Sequence, residues 1–154
     1  MVEELAVRLE VHIEAPQGRV WRALATEEAW RHWFNAKTQL QPRLGGRFRV
    51  EGSHRGTAYV FVGEVVAFDP PREIAVTWIP VGTDWPFPDL HSIVRFTCEP
   101  DGTGTRVRVS HEGFERLPEP FRTKEFQDFL RGWSADEELA WLRDWVERGV
   151  SHFG

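Results

Sequence analysis

Val65-Val66-Ala67-Phe68-Asp69-Pro70-Pro71-Arg72-Glu73-Ile74-Ala75-Val76-Thr77-Trp78 reads as an apolar strand, a proline-stiffened reversal and a second strand. The pattern extends in both directions. Upstream, Leu5, Val7, Leu9, Val11 and Ile13 alternate with Arg8, Glu10, His12 and Glu14, the period of two that marks a strand with one buried face. Pro16 suits the first turn of a helix carrying Val20, Trp21, Ala23 and Leu24, and Thr26 can cap a second short helix through Trp30, Trp33 and Phe34. From Leu40 to Val109 the chain reads as an antiparallel run with turns at Gly45-Gly46, Pro70-Pro71 and Gly102-Thr103-Gly104. That makes six strands after the helices, counting a weak one near Lys37 to Gln41. The C-terminal part is helical and its apolar positions change phase: Phe126, Phe129, Leu130 and Trp133 share one face, whereas Leu139, Leu142 and Val146 share another. Either one helix is buried on two sides or it breaks near Gly132, and the capping-box pattern Ser134-Ala135-Asp136-Glu137 favours a fresh start. The order of elements is α+β, with helices on one side of the sheet.

The 154 residues fit one domain with a substantial core, without repeats, low-complexity tracts or a flexible linker. Eight Trp and eleven Phe against one Tyr is a heavy aromatic load, which fills either a dense core or the wall of an apolar pocket. A net charge of -5 argues against nucleic acid or an anionic membrane as a general partner. Cys98 stands alone, so no internal disulfide forms, and the start lacks a signal-peptide pattern. No apolar run approaches the roughly 20 residues that span a bilayer. The chain therefore reads as a soluble, cytoplasmic protein.

The motifs that announce dinucleotide, phosphate-loop, nucleophile-elbow or zinc-protease chemistry are missing, and the six histidines are scattered without metal-ligand spacing. No catalytic residue, metal or cofactor is assigned. Cys98 lies in the alternating set with Val94 and Phe96 and reads as a small buried hydrophobe. His111 shares strand parity with Val107 and Val109, so it points into the concave interior, either as a buried hydrogen-bonded histidine or as a ligand or acid/base contact. Tyr59, the one phenol, either offers a hydroxyl to a ligand or packs at the rim. Arg95 reads as a solvent-facing strand residue before an anchor for a ligand carboxylate, and Glu64 and Glu112 read as structural. Trp33, Phe34, Phe48, Phe61, Trp78, Phe96, Phe114, Phe126 and Trp133 fall on elements that enclose the space between sheet and helix, and a third to a half of them are expected to line a pocket. The proline-rich segment from Pro80 to His91 carries Trp85, Phe87 and Leu90 and is either a lid over the pocket mouth or a packing segment at a sheet edge or dimer contact. Trp141 and Trp145, four apart, form a helical stripe that widens the buried face or offers a self-association surface.

Taken in order, Ala15-Pro16, Val20-Trp21-Arg22-Ala23-Leu24, Trp33-Phe34, Gly45-Gly46-Arg47-Phe48, Gly63-Glu64-Val65, Asp69-Pro70-Pro71-Arg72, Thr77-Trp78, Gly104-Thr105-Arg106-Val107, His111-Glu112-Gly113-Phe114 and Gly132-Trp133 resemble the bacterial branch related to the activator of the ninety-kilodalton heat-shock chaperone's ATPase. That branch belongs to the START-like, or SRPBCC, superfamily. The resemblance covers nearly the whole chain and implies the helix-grip fold: a curved seven-stranded antiparallel sheet wrapped around a long C-terminal helix, two short helices between strands one and two, and an apolar cavity between sheet and helix. It leaves the chemistry open, because lipid and hormone binders, polyketide cyclases and chaperone regulators share the fold. Three functions follow as expectations: binding of a small apolar or amphipathic molecule in the cavity, co-chaperone-like regulation of a chaperone, and cyclase-like catalysis through His111 or Tyr59. A monomer and a homodimer both fit.

Overall fold

The computed structural model describes residues 5–54, 56–81, 91–134 and 136–153. Among them the chain forms β1 (Ala6–Ile13), α1 (Gln17–Ala25), α2 (Glu27–Trp33), β2 (Gln39–Leu40), β3 (Arg47–His54), β4 (Thr57–Asp69), β5 (Glu73–Pro80), β6 (Ser92–Asp101), β7 (Gly104–Glu112), a 3-10 turn at Phe114–Arg116, α3 (Phe121–Gly132) and α4 (Glu138–Arg148). The seven strands make one antiparallel sheet in the order β1-β7-β6-β5-β4-β3-β2. This is the α+β arrangement read from the sequence, and the weak strand near residue 40 is present as the two-residue β2.

The strand order dictates where the first two helices go. β1 and β2 follow one another in sequence yet occupy opposite edges of the sheet. Six strand spacings of about 4.8 Å separate them, roughly 29 Å along the sheet, so residues 14–38 must cross its concave face. They cross as α1 and α2, with Val20, Trp21, Leu24, Trp30 and Trp33 turned inward. Thr26 separates the helices, its hydroxyl accepting the Ala29 N–H at 3.4 Å.

The sheet bends where β4 slips register between Val65 and Ala67. The reversal at Asp69-Pro70-Pro71-Arg72 is pinned to β6: the Cys98 N–H donates to the Arg72 carbonyl at 2.8 Å, and the Cys98 thiol donates to the Pro71 carbonyl at 2.8 Å. Burial, reinforced by the neighbouring Glu99 charge, pushes the thiol up to about 11. Cys98 is therefore the inert buried group expected of it. In the β2–β3 connection Gly45 adopts φ +79°, a backbone region open to glycine, and its N–H donates to the Val65 carbonyl.

Trp30 is the centre of the core, its ring within 4.7–5.4 Å of Trp33, Phe34, Phe48 and Phe96. The indole N–H groups of Trp30 and Trp33 donate to the carbonyls of Leu24 and Ala23, each at 2.8 Å, so two large rings are buried without orphaning their donors.

The C-terminal helical part is divided. α3 ends at Gly132, the chain is extended at Trp133, and α4 restarts at Glu138. Two bonds stabilise the restart: the Ser134 N–H donates to Glu138 Oε2 at 3.0 Å and the Asp136 N–H donates to Ser134 Oγ at 3.1 Å. The expected Ser134–Glu137 capping box does not itself form: α4 has Glu137 at its N-cap without a side-chain cap, and Ser134 closes a local turn before it while Glu138 reaches back. Each half buries its own stripe, Phe126 and Phe129 on α3 and Leu139, Leu142 and Val146 on α4. Leu130, expected on the buried face of α3, is exposed.

Candidate ligand-binding cleft

The break between α3 and α4 leaves the concave face incompletely filled. A cleft of about 290 Å³ opens there, walled by Phe34 at the end of α2, Ser53, Tyr59 and Phe61 on β3 and β4, Trp78 on β5, Phe129 and Trp133 from α3 and its exit, Glu137, Glu138 and Trp141 from the start of α4, and His152 and Phe153. Its volume is at the lower end of the range for small-molecule sites.

Five of the expected cavity residues come together here: Phe34, Tyr59, Phe61, Trp78 and Trp133. Trp33, Phe48, Phe96 and Phe114 are packed against other protein rings and face no opening. Phe126 is half-buried under α3 with its ring 5.7 Å from Phe114. The expected lid residues Trp85 and Phe87 lie outside the described residues.

His111 belongs to the packed end. It is wholly buried, with rings of Phe129 at 4.2 Å and Phe114 at 4.8 Å. The Trp133 indole N–H, which can only donate, points to His111 Nδ1 at 3.0 Å, so the imidazole proton resides on Nε2 and is given to Ser92 Oγ at 2.7 Å. Ser92 in turn donates to the Trp78 carbonyl at 3.3 Å. Both ring nitrogens are thus occupied, and desolvation drives the pKa down to about 3. His111 is a neutral structural group, the first of the two readings its parity allowed. Glu112, its strand neighbour, faces the opposite side of the sheet, where its carboxylate meets Arg95 at 3.0 Å. Arg95 also pairs with Glu73 at 3.0 Å, so it is an outer-face ion-pair hub and not a ligand anchor in the cleft. Glu64 is exposed, with its backbone N–H on Thr77 Oγ1.

Tyr59 is the polar residue that the sequence singled out and the cleft retains. The Asn35 amide donates to its hydroxyl at 3.1 Å, and Asn35 is fixed because its Oδ1 accepts the Lys37 N–H at 2.8 Å. Gly52, opposite Tyr59 across the β3–β4 ladder, makes room for this contact: a Cβ on residue 52 would collide with the Asn35 amide and lie 3.2 Å from the Tyr59 hydroxyl. Burial holds the phenol above its ordinary pKa; the hydrogen bond from Asn35 opposes this, and the charge on Glu138 adds to it. Glu138 is itself buried, and its Oε2 accepts the Ser134 N–H. The Trp78 Nε1–H is buried and has no hydrogen-bond partner among the described residues.

Several of these residues escaped the sequence reading. Asn35, Gly52, Glu138 and the pair His152–Phe153 carried no motif, and only the structure brings them beside Tyr59 and Trp141. The Trp141/Trp145 stripe was visible, but its partners were not: His152 stacks on Trp141 at 3.8 Å and 14°, and His32 stacks on Trp145 at 4.1 Å and 11°. The segment before residue 153 is tied to α2 by the His152 N–H on the His32 carbonyl at 2.9 Å and by His32 Nδ1 to Ser151 Oγ at 2.9 Å.

A curved antiparallel sheet gripping C-terminal helices, with a cleft between them, defines a START-like, helix-grip protein. The family follows from the sequence itself: residues 14–135 match the family described as activator of Hsp90 ATPase homolog 1-like protein, and the chain belongs to it. No curated protein matches the sequence. Among solved structures, protein MLL2253 of Mesorhizobium loti is similar at 28% identity and a TM-score of 0.70, covering 90% of this chain and 94% of its own. The Aha1 dimer of Colwellia psychrerythraea shares the fold at 18% identity and a TM-score of 0.62, over 94% of this chain and 98% of that one. DynU16, a protein of the dynemicin biosynthetic locus, does so at 22% identity and a TM-score of 0.71, over 97% of this chain and 49% of its own. No helix among the described residues is long and apolar enough to cross a membrane.

Proposed function

We propose that the protein binds a small, largely apolar or amphipathic molecule in the cleft between the sheet and the α3–α4 break. The observation that carries this reading is the contrast within one aromatic interior: rings around Trp30 and His111 are packed against each other, whereas those of Phe61, Trp78 and Trp141 border open volume. Burying apolar ligand surface there contributes about 25 cal/mol per Å². The Tyr59 hydroxyl is the polar handle that would orient a ligand. The acid/base role once open to His111 loses its support, since neither ring nitrogen is available and the group stays neutral at physiological pH.

Native mass spectrometry of freshly purified protein, followed by denaturation and identification of the released compound, tests the proposal. A stoichiometric adduct whose retention falls in a Trp141→Ala variant supports it. A bare mass, together with no saturable binding of apolar dyes, overturns it.

Membership of the Hsp90-activator family favours a second reading, docking to a chaperone and regulation of its ATPase. Its test is the ATPase rate of a bacterial Hsp90 with and without this protein; an unchanged rate at saturating protein removes it.

A further inference from the structure

Tyr59 is a side chain of the cleft wall whose hydrogen-bonding directions are fixed by its surroundings. A phenol both accepts at its oxygen and donates its own proton, so a phenol with one neighbour assigned as donor has only its O–H left to give. That neighbour is Asn35, and a second contact sets its role. Asn35 Oδ1 accepts the Lys37 N–H at 2.8 Å, which turns the amide nitrogen toward Tyr59, where it donates to the hydroxyl at 3.1 Å. Turning the amide over would break the Lys37 bond. The residue is also held from behind: Asn35 is buried, and its backbone carbonyl accepts from the Thr38 N–H at 3.1 Å and from Thr38 Oγ1 at 2.8 Å. The phenol oxygen is therefore engaged as an acceptor, whereas no described residue takes its proton.

The direction of that bond selects a ligand chemistry. Burial holds the phenol above its ordinary pKa despite the opposing bond from Asn35, so the proton stays on the oxygen at neutral pH. A ligand hydroxyl or N–H aimed at Tyr59 would compete with Asn35 for an oxygen already in use, whereas a carbonyl oxygen completes the pair. The rest of the wall favours an uncharged molecule: eight of the twelve described residues that line the cleft are Phe, Tyr or Trp, and an ionised group would give up its hydration against those rings. We infer that the occupant of the cleft is an uncharged carbonyl compound, a ketone or ester with an aromatic or alkyl body, whose carbonyl oxygen accepts the Tyr59 O–H while the body lies against Phe61, Trp78 and Trp141. This inference rests on the ligand-binding reading above and narrows it to one kind of polar group.

Isothermal titration with three probes of similar size separates the two claims: butyrophenone, its isostere α-propylstyrene with a methylene group in place of the carbonyl oxygen, and phenylpyrrole, which offers an N–H and no acceptor. In Tyr59→Phe the affinity of butyrophenone relative to α-propylstyrene is expected to fall roughly tenfold, the loss that follows when a buried acceptor is left unpaired, while the affinity of α-propylstyrene itself stays within about twofold. The infrared carbonyl stretch of bound butyrophenone is expected below its frequency in hexane, with that shift lost in the variant. If Tyr59→Phe does not fold, the stretch in the unaltered protein decides the matter, and a frequency equal to that in hexane overturns the inference. An unchanged ratio of butyrophenone to α-propylstyrene affinity in Tyr59→Phe, or tightest binding of phenylpyrrole, overturns the carbonyl inference while the cleft remains a binding site. Saturable binding of none of the three overturns the carbonyl inference and counts against the ligand-binding reading as well.

Discussion

Two ends of the same concave face are built from the same kinds of residue and behave oppositely. At the sealed end, between β6, β7 and α3, His111 is enclosed by Trp133, Ser92, Phe114 and Phe129, and both of its ring nitrogens have partners. At the open end, beside the α3–α4 break, Tyr59, Trp78 and Trp141 border a cleft, and the Tyr59 hydroxyl there accepts one hydrogen bond, from Asn35. At the sealed end the chain Trp133 to His111 to Ser92 to the Trp78 carbonyl consumes the polar atoms of the imidazole, so closure there follows from hydrogen-bond satisfaction as much as from shape.

The sharpest way to break this contrast is to damage the sealed end. His111→Ala removes a fully buried ring and orphans the Trp133 N–H, so unfolding in urea should show a loss of about 2–4 kcal/mol. The pH dependence of the same group has a definite sign. The unfolded chain takes up a proton on His111 near pH 6.5, whereas the folded one resists until about 3, so its neutrality costs stability as pH falls through that window, at roughly 1.4 kcal/mol per pH unit. Wild-type protein should therefore lose more stability than His111→Gln between pH 7 and pH 5; parallel pH profiles would refute the buried neutral histidine.

Damage to the open end should look different. Trp141→Ala is expected to leave unfolding within about 1.5 kcal/mol of wild type while weakening a bound apolar probe at least tenfold, as read by titration calorimetry. A large stability loss with unchanged affinity would mean that the two ends are not distinct. Gly52→Ala sharpens the point more gently. The added methyl displaces the Asn35 amide from Tyr59, so the phenol's pKa should rise further in a spectrophotometric titration, because the interaction opposing burial is lost.

The smallest effect concerns His12, a surface counterpart to His111. Its two ring nitrogens meet Glu14 and Asp101, and these hydrogen bonds raise its pKa. The sign is reversed: its contribution is fully present below pH 6.5 and fades as pH rises through the higher folded value. An NMR titration of His12 should place its midpoint above 6.5, and a midpoint at or below that value would contradict the paired geometry.

Strand periodicity and turn chemistry made the sheet legible, because each of β1, β5, β6 and β7 needed only its own residues to declare a buried face. The capping-box residues after Gly132 likewise signalled the helix break. The cleft was half-legible. Phe61, Trp78 and Trp133 could be assigned to the enclosed space, but Phe48 and Phe96 carry the same pattern and are packed solid. Whether a ring lines space or fills it depends on what stands opposite, and for Phe96 that is Trp30 from a crossing helix. Glu138 was hidden for a related reason: a carboxylate at a helix start reads as a solvated charge until tertiary packing buries it.

Trp78 and Trp133 belong to both ends, since each contributes to the His111 chain and to the wall of the cleft. In evolutionary terms this divides the cleft into a pinned and a free half. Substitution of Trp133 strikes the His111 chain along with the cleft wall, whereas Tyr59, Trp141 and Phe153 wall the cleft without joining that chain. If the cleft binds a ligand as proposed, new preferences in proteins built this way should arise on the side of β4, α4 and the residues after it, with the Trp133 indole kept as a fixed backdrop.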